Sequence, residues 1–121
     1  MDMNAISATL VEGCRDGTAH ENLTKLYAVD AISVEASDNG QGREAQGIDA
    51  IKGKHDWWDA TFEFVKGDIS DPMPNGDDRF AVIFDITVKH KESGEVSDMK
   101  EVALYTVGDG KIVREEFFYT S

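Results

Sequence analysis

The run of alternating apolar residues between 79 and 119 constrains the fold of this chain more than any other feature. In "FAVIFDITV", Phe80, Val82, Phe84, Ile86 and Val88 recur at a period of two, which belongs to a β-strand and not to a helix. Ala81 and Ile83 make the opposite side partly apolar as well. A strand apolar on both faces needs cover on both, so one face is expected to line an interior and the other to meet a second sheet. A homodimer is the simplest source of that second sheet. Strands are predicted over 62–71, 79–90, 96–107 and 111–119. "DPMPNGDD" reads as a turn, and "VGDGK" joins the last two strands as a tight hairpin.

The first half is helical in rhythm. Ile6, Leu10, Val11 and Cys14 share a face over residues 4–15, and "RDGT" ends that run. Thr18 to Tyr27 offers a shorter helix with Leu23, Leu26 and Tyr27 on one side. Residues 31–36 read as a strand, "SDNGQG" as a turn and "GREAQG" as a short partner strand. In "GIDAIKGKHDWWDATF", Ile51, His55, Trp58 and Phe62 follow helical spacing, with Asp49 in the first turn. Helices first, then a strand pair, a helix and a meander of long strands make an α+β fold. The expectation is one domain over residues 1–121, a curved antiparallel sheet with helices packed on its concave side.

Charge narrows the partners. Twelve Lys and Arg against 24 Asp and Glu give a net charge of −12, which repels phosphate backbones and anionic lipid. Neither nucleic acid nor a membrane is expected as a partner, and no apolar stretch approaches the roughly 20 residues that cross a bilayer. The single cysteine, Cys14, excludes an intrachain disulfide and fits a reducing compartment. With no basic, apolar leader at the start, a cytoplasmic location is expected. His20, His55 and His90 lie far apart without paired spacing, so no metal is expected. "GQGREAQG" lacks the βαβ surroundings of a phosphate loop, and "GIDAIKGKH" has the wrong glycine spacing for one, so no cofactor is expected.

Three polar residues are candidates for a shared interior: Glu35, His55 and Glu115. The final hairpin bears on the last. A two-residue loop at Asp109–Gly110 sets Leu104 opposite Glu115 and Val102 opposite Phe117. A loop one residue longer turns Glu101, Ala103 and Tyr105 to the face of Glu115, Phe117 and Tyr119 instead. Glu115 keeps apolar company in either register. A carboxylate buried there costs several kcal/mol unless paired, hydrogen-bonded, protonated or useful. Plain structural roles stay open for all three: an Arg43 partner for Glu35, a carbonyl partner for His55 and a Lys100 ion pair for Glu115.

"LYAVDAISVEA", the Gly-rich turn after it, "QGIDAIKGKHDWW" and the terminal "VALYTVGDGKIVREEFFY" resemble the NTF2-like superfamily, in its SnoaL-like branch related to ketosteroid isomerase. The resemblance spans nearly the whole chain and implies a cone-shaped, usually dimeric fold with an apolar pocket. It places Glu35 where ketosteroid isomerase carries its base. It places Leu10 and Val102 where that enzyme carries oxyanion donors, which these side chains cannot replace. It implies His55 and Glu115 as further acid–base residues, and Leu10, Cys14, Trp58, Val102, Phe117 and Tyr119 as pocket lining. Two functions follow from it. One is cofactor-independent isomerase, cyclase or lyase chemistry on a small, carbonyl-containing molecule. The other is a non-catalytic ligand-binding or dimeric assembly module.

Overall fold

The computed structural model describes residues 2–38 and 42–119. Helix α1 (Met3–Asp16) starts where the Asp2 side chain accepts a hydrogen bond from the Ala5 amide at 2.8 Å. It ends at Gly17, which takes the left-handed conformation (φ 85°) that closes a helix. Ile6, Leu10 and Val11 form its buried stripe. The short α2 (Asn22–Leu26) adds Leu23 and Leu26 to the same core. Helix α3 (Ile48–Thr61) buries Ile51 and follows the expected span closely. No helix among the described residues is long and apolar enough to cross a membrane.

The strands are β1 (Tyr27–Val34), β2 (Glu44–Gln46), β3 (Phe62–Ile69), β4 (Met73–Asn75), β5 (Arg79–His90), β6 (Val96–Gly108) and β7 (Lys111–Phe118). They form a sheet ordered β2-β1-β7-β6-β5-β3, with β4 also pairing β5. The fold is the expected α+β cone with helices over one face of a curved sheet, with two differences. First, the sheet is mixed, because β1 runs parallel to β7. The long path through α3 frees β1 from hairpin geometry and lets it cover the β7 edge in that direction. Second, "DPMPNGDD" is not only a turn, since Met73–Asn75 pairs with Arg79–Ala81. The middle of the "SDNGQG" turn lies outside the described residues.

The final hairpin resolves its register by a bulge. Asp109 (φ 52°) and Gly110 (φ 76°) form a two-residue turn in which both residues have positive φ. Gly108 pairs with Lys111 and Val107 with Ile112, but Thr106 pairs with Arg114. Val113 is the extra residue, so the register beyond it shifts by one. Tyr105 therefore faces Glu115 and Ala103 faces Phe117. Along β5, Phe80 opposes Tyr105, Val82 opposes Ala103 and Phe84 opposes Glu101. These residues form the inner face. Val102, expected in the pocket lining, instead pairs with Ile83 and Phe118 on the outer face. The bulge is the physical reason: one added residue exchanges the two faces of β6 relative to β7.

Gly67 marks a second irregularity, where β3 shifts register against β5 after Phe64. A Cβ there would sit 2.5 Å from the Asp85 carbonyl oxygen and 2.6 Å from the Ile86 Cα, both backbone atoms. We expect Gly67→Ala to destabilise the protein by about 1–3 kcal/mol through overpacking. Urea unfolding of the two proteins side by side measures it, and an unchanged midpoint would refute the close approach.

Candidate functional site

The inner face carries a chain of polar groups that begins in the core and ends at its edge. Glu115 is 2% exposed. The parallel register places Ser33 beside it, and its carboxylate accepts hydrogen bonds from the Tyr27 hydroxyl at 2.5 Å and from Ser33. Burial raises the Glu115 pKa, and the Tyr27 and Ser33 bonds and the nearby Lys54 only partly offset it. The Lys54 ammonium donates to Ser33 Oγ at 2.7 Å and pairs with Glu35 Oε1 at 2.5 Å. It also lies 5.3 Å above the Phe117 ring, within reach of a cation–π attraction. The Tyr119 hydroxyl donates to the other oxygen of Glu35 at 3.0 Å. With Glu35 27% and Lys54 30% exposed, this end of the chain meets solvent.

Glu35 stands one residue past β1, where its amide still donates to the Arg43 carbonyl at 2.7 Å. Alternation from Ser33 turns its side chain inward. Arg43 holds the Glu35 backbone carbonyl and not its carboxylate. Glu101 joins the site from β6. Its carboxyl is half-buried and accepts no hydrogen bond among the described residues. Burial first, then the charge of Glu35, push its pKa up to about 7, with Lys54 acting in the opposite sense. Cys14 is pushed up to about 12 by burial, helped by Glu115 and Asp16, which leaves it a neutral thiol at the closed end.

The expected residues are therefore divided. Glu35, Glu115, Phe117 and Tyr119 come together, with Leu10 and Cys14 packed at the core side. His55 lies elsewhere, its ring 6.1 Å from that of His20, and burial and His20 lower its pKa. The carboxylate oxygens of Glu35 are met instead by Lys54 and Tyr119. Trp58 packs on Phe62 at 4.5 Å. Lys54 is the functional residue that the sequence reading passed over. Its signal was present: it stands three residues after Ile51 and four before Trp58, on the same helical face. Two surface concavities, of about 630 and 280 Å³, have none of Glu35, Glu101, Glu115 and Lys54 in their linings. The larger is lined by Arg43, Glu44, Arg114 and Glu116, and the smaller by Glu12, Arg15 and Asp71.

The SnoaL-like domain model matches residues 1–119. Among solved structures, a Mesorhizobium loti protein described as a SnoaL-like polyketide cyclase is 34% identical, covering 98% of this chain and 100% of its own, with a TM-score of 0.89. A Mycobacterium tuberculosis protein solved with estradiol-17β-hemisuccinate is 18% identical over 99% of this chain and 95% of its own, at a TM-score of 0.78. A Catenulispora acidiphila protein with a ketosteroid isomerase-like fold, solved with trimethylamine, is 20% identical over 93% of this chain and 84% of its own, at 0.72. The fold is the NTF2-like, cystatin-like one. No curated protein matches the sequence.

The raised carboxyls set a pH dependence. Glu101 and Glu115 bind protons more tightly folded than unfolded, so stability falls as pH rises from about 4.5 through 7. The melting temperature should decline across that window, and Glu101→Gln should flatten the decline. Calorimetry at pH 5, 6, 7 and 8 measures both slopes, and parallel slopes would contradict the burial of Glu101.

Proposed function

Because the chain belongs to the SnoaL-like family, we propose that its inner face binds a small, carbonyl-containing organic molecule and carries out cofactor-independent acid–base chemistry on it. One observation carries this reading. Three carboxyls, Glu35, Glu101 and Glu115, share the inner face with one cation among the described residues, Lys54. Structural needs alone do not favour such an excess of acid, since each buried carboxylate costs several kcal/mol when left unpaired. Perturbed carboxyls beside a cation are typical of sites that move protons. The Lys54 ammonium, with one N–H beyond those on Ser33 and Glu35, is the donor at the solvent end suited to polarise a carbonyl oxygen, and the Tyr119 hydroxyl steadies Glu35. Glu35 orders both donors, and Glu115 is a second acid at the closed end. His55, turned towards His20, stands outside this relay.

Neither concavity has Glu35 or Lys54 in its lining, which favours a second reading, a binding module without turnover. One probe separates them. In D2O, the protein should bind 2-tetralone, a compact aromatic ketone, and speed deuterium uptake at the carbon next to its carbonyl. Lys54→Met should slow that uptake at least tenfold, as proton NMR reads directly. Binding without accelerated uptake supports the non-catalytic reading.

Self-association is the companion proposal. Ile83, Val102 and Phe118 form a cross-strand row on the outer face, with Leu104 alongside and Phe118 51% exposed. A second copy would cover this row, as apolar sheet faces are covered in sandwiches. Light scattering behind size exclusion should give a dimer for the native chain. It should give a folded monomer for Phe118→Glu, and a native monomer would end the proposal.

A further inference from the structure

We infer that Glu101 is the carboxylate that exchanges the proton at this site, and that Glu35 serves as a positioning residue by holding Lys54 beside it. The assignment rests on the acid–base reading above and goes further by separating the roles of the two acids. Glu35 has both oxygens engaged, by Lys54 at 2.5 Å and Tyr119 at 3.0 Å. Glu115 accepts from Tyr27 and Ser33 and is closed off from solvent. Each hydrogen bond that a carboxylate accepts stabilises its charge and makes it a weaker base towards a C–H group. Glu101 alone of the three accepts no hydrogen bond among the described residues, and it is only half-buried.

Its placement is fixed by the sheet and not by a flexible tether. On β5 its partner is Phe84, and two residues along β6 lies Ala103, whose β7 partner Phe117 carries Lys54 above its ring. The charged and titratable groups around it come from three elements. Lys54 comes from α3, Glu35 from the end of β1, and Glu115 from β7. Tyr105, on its own strand, in turn feels its charge. Lys54 favours its ionised form, and Glu35 and Glu115 favour its protonated form. Those opposed influences leave it able to give and to take a proton near neutral pH, the condition a general base requires.

The step balances without a co-reactant. The Glu101 carboxylate takes a proton from the carbon next to a carbonyl, and the C–H electron pair becomes the carbon–carbon double bond of an enolate. The carbonyl π pair moves to oxygen, where the Lys54 N–H not taken by Ser33 or Glu35 supplies a hydrogen bond. The Glu101 carboxylic acid exchanges its proton with solvent and returns one to carbon.

The test is the deuterium uptake of 2-tetralone measured from pH 5 to 9. The native protein should show a rate rising with pH to a plateau, with a midpoint near 7. Glu101→Gln should lower the plateau at least 100-fold, and Glu101→Asp should restore part of it, which separates lost chemistry from lost folding. Glu35→Gln should lower the plateau far less than Glu101→Gln does and move the midpoint down, since a nearby negative charge has gone. Lys54→Met should move the midpoint of its residual rate up. If the native protein accelerates uptake and Glu101→Gln matches it within threefold, the assignment is wrong while the acid–base reading stands. If the native protein does not exceed buffer, the acid–base reading fails and this assignment fails with it.

Discussion

One extra residue in the last strand decides what the interior of this protein contains. Val113 has no partner across the β6–β7 ladder, and the pairing on its far side is displaced by one position. Without the bulge, Lys100, Val102 and Leu104 would face Glu115 and Phe117. With it, Glu101, Ala103 and Tyr105 do. Ala103 and Tyr105 are buried and Tyr105 stacks on Phe80, so the hydrophobic core rewards this register strongly. Glu101 is carried inward by the same alternation. Its presence inside is the consequence of a backbone register that the core enforces.

The parallel placement of β1 against β7 then determines how the acids are satisfied. It aligns Ser33 with Glu115 and brings the end of β1, with Glu35, to the open side of the same face. Lys54 reaches both Ser33 and Glu35 from α3. The lysine keeps two carboxylates and a hydroxyl in one connected network, and its ammonium lies over the Phe117 ring. Removing either end of such a pair is worse than never having had it, because the remaining charge is left half-buried. Glu101 is the carboxyl that this arrangement leaves over.

Most of the fold was legible because it rests on periodicity. The 3.6-residue stripes of Ile6, Leu10 and Val11 and the two-residue alternation from Phe80 to Val88 each have one structural solution. The loop chemistry of Asp109–Gly110 was equally plain. A bulge is different: it depends on whether Val107 and Ile112 can pack together before the strands continue, which is a tertiary matter. The strand at Met73–Asn75 escaped notice because its proline and asparagine are turn formers, tolerated on an edge that needs few donors. Lys54 escaped because lysines on helices are usually solvated, and His55 beside it is the more conspicuous chemical group. One residue is a rotation of about 100° around a helix, enough to direct the two side chains to different neighbours.

The charge balance limits what the site can do. With Leu10 buried and apolar and Val102 on the outer face, the donor with an N–H to spare beside Glu35 is Lys54. In the proposed step, proton transfer to Glu101 moves one negative charge from its carboxylate to the enolate oxygen and adds none to the face. Only the lysine is there to offset that charge. With its one cation already paired to Glu35, the proposed chemistry suits carbon acids whose anions are already stabilised by conjugation. Deep charge separation would need a second cation that the inner face lacks among the described residues. This is a tighter limit on substrate than the shape of the fold imposes. It comes from one arithmetic fact, three carboxyls to one ammonium, written into strands whose register the core had already fixed.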